Sequence, residues 1–142
     1  MQMYDSSLTQ PMREELVRIG FQELRTPADV DAVLGKKGAT TLLVVNSVCG
    51  CAAGSARPGV ALALKSGPRP DQTVTVFAGQ DREATAQARS YLKGYAPSSP
   101  SMAILRDGEP VWMLERHQIE GRDAATIAKV VSDALAKHTS AA

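Results

Sequence analysis

Cysteine is scarce in this chain of 142 residues, which contains only Cys49 and Cys51, one glycine apart. Aromatic residues make up only 4% of the sequence, and 16 basic residues nearly balance 15 acidic ones. The sequence therefore lacks the clustered positive charge and the stacking side chains with which proteins bind nucleic acid. The same charge balance gives no reason to expect binding to an anionic membrane.

Long apolar runs are also missing. The longest strongly apolar run, Leu42 to Val45, is far shorter than the roughly 20 residues that a membrane-spanning helix needs. The N-terminal segment MQMYDSSLTQPMREEL has no basic region followed by an apolar stretch, so we expect no signal peptide and a cytoplasmic protein. In a reducing compartment, a close cysteine pair is more often catalytic or metal-binding than structural.

The length and the 44% apolar content suit one domain, residues 1–142, with its own hydrophobic core. Apolar periodicity, capping residues and turn residues predict five helices. These are expected over about 10–18, 26–35, 52–66 with a kink at Pro58, 82–93 with Asp81 as its cap, and 123–137. Strands are expected over 21–24, 40–46 and 73–79, with a β-hairpin over 102–114 that turns at Asp107-Gly108.

The alternation of strands and helices predicts an α/β protein with parallel crossovers, and the closing hairpin makes the sheet mixed. A βαβ unit followed by a helix, a hairpin and a last helix is the layout of a thioredoxin-like fold. The expected architecture is therefore a central mixed β-sheet flanked by helices, with an N-terminal extension of one helix and one short strand.

Cys49 and Cys51 follow the buried strand TTLLVVN and precede a helix. Reactive groups in α/β sheets collect beyond the carboxyl ends of strands, and the positive end of a helix dipole stabilises an anion there. This position is expected to lower the pKa of Cys49 and make it a nucleophilic thiolate. Gly50 would allow the sharp turn that a disulfide across one intervening residue requires, and such a strained disulfide would be easily reduced.

Pro100, in the segment SSPS before the hairpin, is a second candidate site residue. A cis bond between Ser99 and Pro100 would turn the Ser99 backbone toward Cys49, where the extended chain of a partner can pair with it. Asn46 and Ser47 are expected to bond either the thiolate or the loop backbone. We expect Arg57 to be solvated rather than facing the substrate, and the mixed charges of residues 115–122 predict a surface loop.

These residues together resemble the bacilliredoxin family, thioredoxin-like bacterial proteins with a C-G-C active site. The segments VNSVCGCAAGSARPGV and SSPSMAILRDGEPVWMLERHQIEGR stand in family-like order and spacing. The resemblance implies removal of the small thiol bacillithiol from mixed disulfides on client proteins, or disulfide isomerisation. It implies Cys49 as the attacking thiol, Cys51 or a second small thiol as the resolving group, and Pro100 as the cis-proline.

Oxidised or S-thiolated proteins are then the partners, bacillithiol is a co-substrate, and no bound cofactor is required. Some relatives carry a further cysteine near the C-terminus, which the ending HTSAA lacks. Two other functions remain open for the same cysteine pair: a metal-binding carrier and a non-catalytic redox sensor. Zinc needs about four ligands, and the chain offers only His117 and His138 beside the cysteines, so we expect no metal site.

Overall fold

The computed structural model describes residues 4–139 and places a five-stranded mixed sheet at the centre of the chain. The strands are β1 (Gln22–Glu23), β2 (Thr40–Asn46), β3 (Gln72–Phe77), β4 (Ser101–Arg106) and β5 (Glu109–Leu114). The helices are α1 (Ser6–Val17), α2 (Pro27–Leu34), α3 (Arg57–Ser66), α4 (Arg82–Ser90), α5 (Arg116–Ile119) and α6 (Ala124–Thr139).

The strand order is β1-β3-β2-β4-β5. Strands β1, β3 and β2 run parallel, whereas β4 pairs antiparallel with both β2 and β5. The central strand β2 has the predicted bounds, and all of its side chains are buried because helices cover both faces of the sheet. The predicted α/β class and mixed sheet are therefore confirmed.

The two faces of β2 contribute to two separate hydrophobic clusters, since successive side chains in a strand point to opposite sides. Leu42 and Val44 join a cluster with residues of α1, α3 and α6, and Leu43 and Val45 join one with residues of α2 and α4. The helix pair α3 and α6 packs most closely at Gly59, where an added Cβ would lie 2.6 Å from Ile127 Cγ2. This packing fixes the helix that follows the cysteines against the sheet.

The first helix is longer than the sequence predicted. It begins at Ser6 instead of near Gln10, because Asp5 caps it by accepting a hydrogen bond from the Ser7 N–H. Pro11 consequently lies inside α1 and not in its first turn. Further along α1, the carbonyl oxygen of Met12 accepts a hydrogen bond from Asn46 Nδ2 at the end of β2.

The helix after the cysteines is irregular, but the irregularity is a π-helical turn before Pro58 rather than the predicted kink at Pro58. A π-helical turn, Ala52–Ala56, precedes α3, and Pro58 lies in the first turn of α3. Proline has no N–H to donate, so a widened turn before it accommodates the missing bond. The helical conformation itself begins at Gly50 and continues through Ser66.

Helix α4 ends at Ser90, three residues before the predicted end at Lys93. Asp81 occupies the N-cap position, yet its side chain makes no capping hydrogen bond. Its carboxylate instead accepts two hydrogen bonds, of 2.7 and 3.1 Å, from the buried guanidinium of Arg13. A long-range ion pair has therefore taken the place of the predicted local cap.

The hairpin turns at Asp107-Gly108 as predicted, and both residues have positive φ, at 54° and 78°. The segment after it corrects a prediction, because residues 115–122 are not simply a loop. Glu115 and Gln118 form a reciprocal capping box that starts the short helix α5. The side chain of Ile119 anchors this helix in the core, where it is fully buried.

Candidate active site at the end of the central strand

The loop between β2 and the next helix is held by polar contacts from buried groups. Asn46 Oδ1 accepts a 2.9 Å hydrogen bond from the Ser47 N–H, and Ser47 Oγ accepts one of 3.2 Å from the Cys49 N–H. Asn46 and Ser47 are both buried. These bonds fix the chain up to Cys49, so Asn46 serves the loop backbone, one of the two roles that the sequence left open for it.

Cys49 lies at the N-terminus of the helix, as the sequence predicted. Its carbonyl oxygen accepts hydrogen bonds of 3.1 and 3.2 Å from the N–H groups of Ala52 and Ala53. Cys51 follows within the first turn, and both cysteines are free thiols and partly exposed. The two sulfurs thus share the end of the helix where its dipole favours negative charge.

Gly50 does not form the sharp turn that the sequence predicted for it. It is exposed and helical, its φ is not positive, and an added Cβ would meet no atom within 4 Å. With both thiols reduced, the chain makes no sharp turn between them. The turn predicted for Gly50 is therefore not part of the reduced form.

The pKa of Cys49 is lowered from the ordinary value for a thiol. Burial by itself raises this pKa, but hydrogen bonds from the Ser47 hydroxyl and from the N–H groups of Ala52 and Cys51 outweigh that effect. The positive charge of Arg116 acts in the same direction. All these contacts favour the ionised sulfur, so Cys49 carries more thiolate at neutral pH than an ordinary cysteine.

The pKa of Cys51 is shifted in the opposite direction. Burial raises it most, and the neighbouring charges of Cys49 and Glu120 raise it further, against a smaller lowering effect of Arg116. A hydrogen bond from its thiol to Cys49 also favours the protonated form. Of the two thiols, Cys49 is therefore the one that ionises more readily, and Cys51 the one that keeps its proton to higher pH.

The Ser99–Pro100 peptide bond is cis, as the sequence led us to expect. Pro100 is buried next to the strand end, since the following residue, Ser101, pairs with Val45 of β2. The carbonyl oxygen of Ser99 accepts a 3.1 Å hydrogen bond from Arg116 Nη1. Ser99 and Cys49 line one cavity, so the structure brings these two predicted site residues together.

Arg57 corrects another prediction, because it is neither solvated nor turned toward a substrate. It is only 2% exposed, and its Nη1 donates to Asn46 Oδ1 at 2.9 Å and to the Ser47 carbonyl oxygen at 2.8 Å. Its Nε lies 3.2 Å from Glu15 Oε1 on α1. This buried cation thus connects α1, the helix after the cysteines and the loop that carries Cys49.

Arg116 is a site residue that the sequence reasoning did not single out. It lines the cavity with Cys49, and its Nε lies 2.6 Å from Glu120 Oε1. The sequence signal that could have identified it is the capping box of Glu115 and Gln118, which predicts that this segment begins a helix rather than a loop. The neighbouring His117 is exposed, and Trp112 packs against the core cluster, as expected for a side chain that serves packing.

A cavity of about 470 Å³ opens beside Cys49. It lies between the cysteine loop, the β3–α4 turn, the first turns of α4 and the segment before β4. Three of its lining residues are arginines, namely Arg82, Arg89 and Arg116. Within residues 4–139 we found no group of three or more histidine, cysteine, aspartate or glutamate side chains that could hold a metal ion.

No helix in the described part of the chain has both the length and the apolar character needed to cross a membrane.

A family model described as "Disulphide isomerase" matches residues 4–139. A bacilliredoxin of Bacillus licheniformis is 54% identical over 136 residues, which is 95% of this chain and 94% of that protein. A bacilliredoxin of Salinibacter ruber is 54% identical over 134 residues, covering 93% of this chain and 78% of that one.

Solved structures show the same fold at low sequence identity. A mutant thioredoxin from Halobacterium salinarum superposes with a TM-score of 0.59 at 18% identity, covering 87% of this chain and 95% of that one. A putative oxidoreductase with a thioredoxin fold superposes with a TM-score of 0.57 at 14% identity, covering 77% and 91%. The thioredoxin-like fold predicted from the sequence is confirmed.

Proposed function

The chain belongs to the bacilliredoxin family of thiol–disulfide redox proteins, and we propose that it removes bacillithiol from mixed disulfides on client proteins. The position of Cys49 at a helix N-terminus, with contacts that lower its pKa while the pKa of Cys51 is raised, is the observation that supports this most. The thiolate is the form that attacks a disulfide, and a protonated neighbour does not compete with it for the same bond. Disulfide isomerisation would use the same first step on a protein disulfide.

The proposed reaction begins when the Cys49 thiolate attacks the bacillithiol sulfur of the mixed disulfide. The bond to the client breaks, and the client leaves as a thiolate that takes up a proton. Cys51 then gives up its proton and attacks the Cys49 sulfur, which releases bacillithiol and forms the Cys49–Cys51 disulfide. A second bacillithiol molecule can instead perform this release, and a thiol reductant returns the disulfide to the dithiol.

The remaining predicted site residues have positioning roles in this proposal. Ser99 borders the cavity, and the cis bond to the buried Pro100 sets the direction of the Ser99 backbone, which we propose pairs with the extended chain of the client. Gly50, exposed between the two cysteines, leaves room for the incoming sulfur and freedom for the chain to close the disulfide. The chain, residues 1–142, acts as one thioredoxin-like domain in this proposal, and its site of action is the cytoplasm, where such thiols stay reduced.

A purified client protein that carries bacillithiol on one cysteine provides the test. The wild-type protein should release the small thiol, Cys49→Ser should abolish release, and Cys51→Ser should accumulate a bacillithiol adduct on Cys49 that mass spectrometry detects. The proposal is wrong if wild-type protein releases nothing under reducing conditions. It is also wrong about Cys51 if the Cys51→Ser variant turns over fully without any added thiol.

Two further measurements distinguish the two other functions, a metal-binding carrier and a redox sensor. A stoichiometric metal ion in protein purified without chelator, lost in Cys49→Ser, would identify a metal-binding carrier. A protein that oxidises and reduces its own cysteine pair but never releases a small thiol from a client would be a redox sensor. Either result would replace the enzymatic function proposed above.

A further inference from the structure

The cavity beside Cys49 is lined by positive charge. Arg82, Arg89 and Arg116 all border it, and none of its lining residues is an aspartate or a glutamate. Arg82 is exposed at the first position of α4, and Arg89 is half-buried one to two turns further along the same helix. Cys49 and these three arginines therefore border the same pocket.

Arg89, although half-buried, has no carboxylate partner among residues 4–139. Its Nε is buried without any hydrogen-bond acceptor, and its Nη2 makes only a long contact of 3.4 Å with the Ser98 carbonyl oxygen. No carboxylate within residues 4–139 forms an ion pair with it. Burial lowers the pKa of Arg89, but a guanidinium stays charged at neutral pH. Arg89 is therefore a cation without a carboxylate counter-ion among these residues.

Two acidic side chains close to these arginines in the sequence are paired with other cations. Asp81, just before α4, is bound to Arg13 at 2.7 Å and lies 3.6 Å from Arg25. Glu120 pairs with Arg116 at 2.6 Å. Arg82 has no ion pair or side-chain hydrogen bond among the described residues, so α4 offers two cations to the cavity and nothing in the described structure neutralises them.

We propose that this cavity is a carboxylate-binding subsite in which Arg89 and Arg82 hold the small-thiol part of the mixed disulfide. The inference rests on the proposed function and adds a basis for specificity: the protein selects small thiols that carry several negative charges. Guanidinium groups bind carboxylates through paired, charge-assisted hydrogen bonds, and the cavity volume of about 470 Å³ suits a molecule of that size.

The subsite also determines which sulfur is attacked. When the carboxylates lie against α4, the small-thiol sulfur faces Cys49 and the client protein remains outside the cavity. The Cys49 thiolate then forms its new bond to the small-thiol sulfur, the old disulfide bond breaks, and the client takes the electron pair and a proton. Cys49 becomes S-thiolated and the client thiol is restored, with no net oxidation in this step.

A series of model thiols that differ in charge tests the subsite. One client protein is modified at a single cysteine with mercaptosuccinate, with neutral 2-mercaptoethanol or with cationic cysteamine. The Cys51→Ser variant retains the adduct, so mass spectrometry gives the rate at which each small thiol transfers to Cys49. We expect transfer to be fastest for mercaptosuccinate and slowest for cysteamine, with the difference shrinking as salt is added.

Substitutions of single arginines in the Cys51→Ser variant identify the residues that bind the carboxylates. Arg89→Ala should lower the ratio of the mercaptosuccinate rate to the 2-mercaptoethanol rate by about tenfold, the loss expected for one charge-assisted contact. Arg82→Ala, at an exposed position where folding is not at risk, should lower the same ratio by several-fold. Arg18→Ala is the matched control, since Arg18 is exposed and, among residues 4–139, forms an ion pair with Glu14 alone, and the ratio should not change.

The outcomes separate the two proposals. Equal rates for all three model thiols, or an unchanged rate ratio in both Arg82→Ala and Arg89→Ala, would overturn the carboxylate subsite while leaving thiol transfer to Cys49 intact. Failure of every model thiol to transfer, to a protein whose Cys49 still reacts with an alkylating agent, would overturn the proposed function. Adducts between Cys49 and the client protein itself would contradict the inferred direction of attack.

Discussion

Arg57 reaches across from the helix after the cysteines and donates a 2.8 Å hydrogen bond to the carbonyl oxygen of Ser47. Ser47 in turn accepts from the Cys49 N–H and lowers the pKa of Cys49 through its hydroxyl. A buried cation that touches neither sulfur thus positions the residue that activates the thiolate. This chain of contacts leads to two predictions about the loop.

Replacing Ser47 with alanine should raise the pKa of Cys49, because the ionised sulfur loses a hydrogen bond that favours it. Alkylation of Cys49 by iodoacetamide near pH 7 should become several-fold slower in a Cys51→Ser background. Ser66→Ala, at an exposed position at the end of α3, serves as the control and should react like the parent. An unchanged pH profile for Ser47→Ala would contradict this role of the hydroxyl.

Replacing Arg57 with methionine should lower the free energy of unfolding by about 2–4 kcal/mol. The change leaves the Ser47 carbonyl oxygen buried without this donor, which costs roughly 1–3 kcal/mol for an unsatisfied group, and it removes one of the two hydrogen bonds that Asn46 Oδ1 accepts. Urea unfolding followed by circular dichroism measures the loss. Arg18→Met, at an exposed arginine, should stay within about 0.5 kcal/mol of the wild type. Equal stability of the two variants would be evidence against a structural role of Arg57.

The two cysteines should become reactive toward alkylating agents at different pH values. The pKa of Cys49 lies below the ordinary thiol value of 9.0 and that of Cys51 lies above it. Between the Cys49 pKa and pH 9.0, a neutral alkylating agent should therefore modify Cys49 first, which peptide mass spectrometry after a short exposure can read. Preferential labelling of Cys51 in this window would reverse the proposed division of roles.

The lowered pKa of Cys49 also makes the free energy of unfolding depend on pH. Because the pKa of Cys49 is lowered on folding, the reduced protein gains stability relative to Cys49→Ser as pH rises through the folded-state pKa. The gain is complete above the unfolded value of about 9.0 and is lost as pH falls through the folded-state pKa. Unfolding curves of the two proteins at several pH values, in the presence of reductant, test the direction of this effect.

Replacing Gly59 with alanine should destabilise the protein by about 1–3 kcal/mol, the usual cost of overpacking a core. The new methyl group would lie 2.6 Å from Ile127 Cγ2, so α3 and α6 would have to separate. Gly54→Ala is the matched control, since Gly54 is exposed and an added Cβ there meets no atom within 4 Å. Its stability should be unchanged or slightly raised, by up to about 1 kcal/mol, because alanine favours helix. A Gly59→Ala variant as stable as Gly54→Ala would disprove the close approach.

Features encoded by short segments were predictable. The strand Thr40–Asn46 has the predicted bounds because a β-branched run between turn residues leaves few alternatives. The Asp107-Gly108 turn follows from the same local chemistry, as does the position of Cys49 at a helix N-terminus. Asp81 shows the limit of such reasoning. Its sequence context indicates a helix cap, but Arg13, distant along the chain, binds its carboxylate instead.

The α/β order, the cysteine pair at the end of the central strand and membership in the bacilliredoxin family could all be predicted, since each depends on neighbouring residues or on motifs in order. Which arginines are buried and which line the cavity could not be predicted in this way. Arg57 is buried beneath the cysteine loop, whereas Arg82, Arg89 and Arg116 surround the cavity. The physical reason is that the partners of a long charged side chain depend on elements packed against it from elsewhere in the chain, and these contacts leave no periodic signal in the sequence.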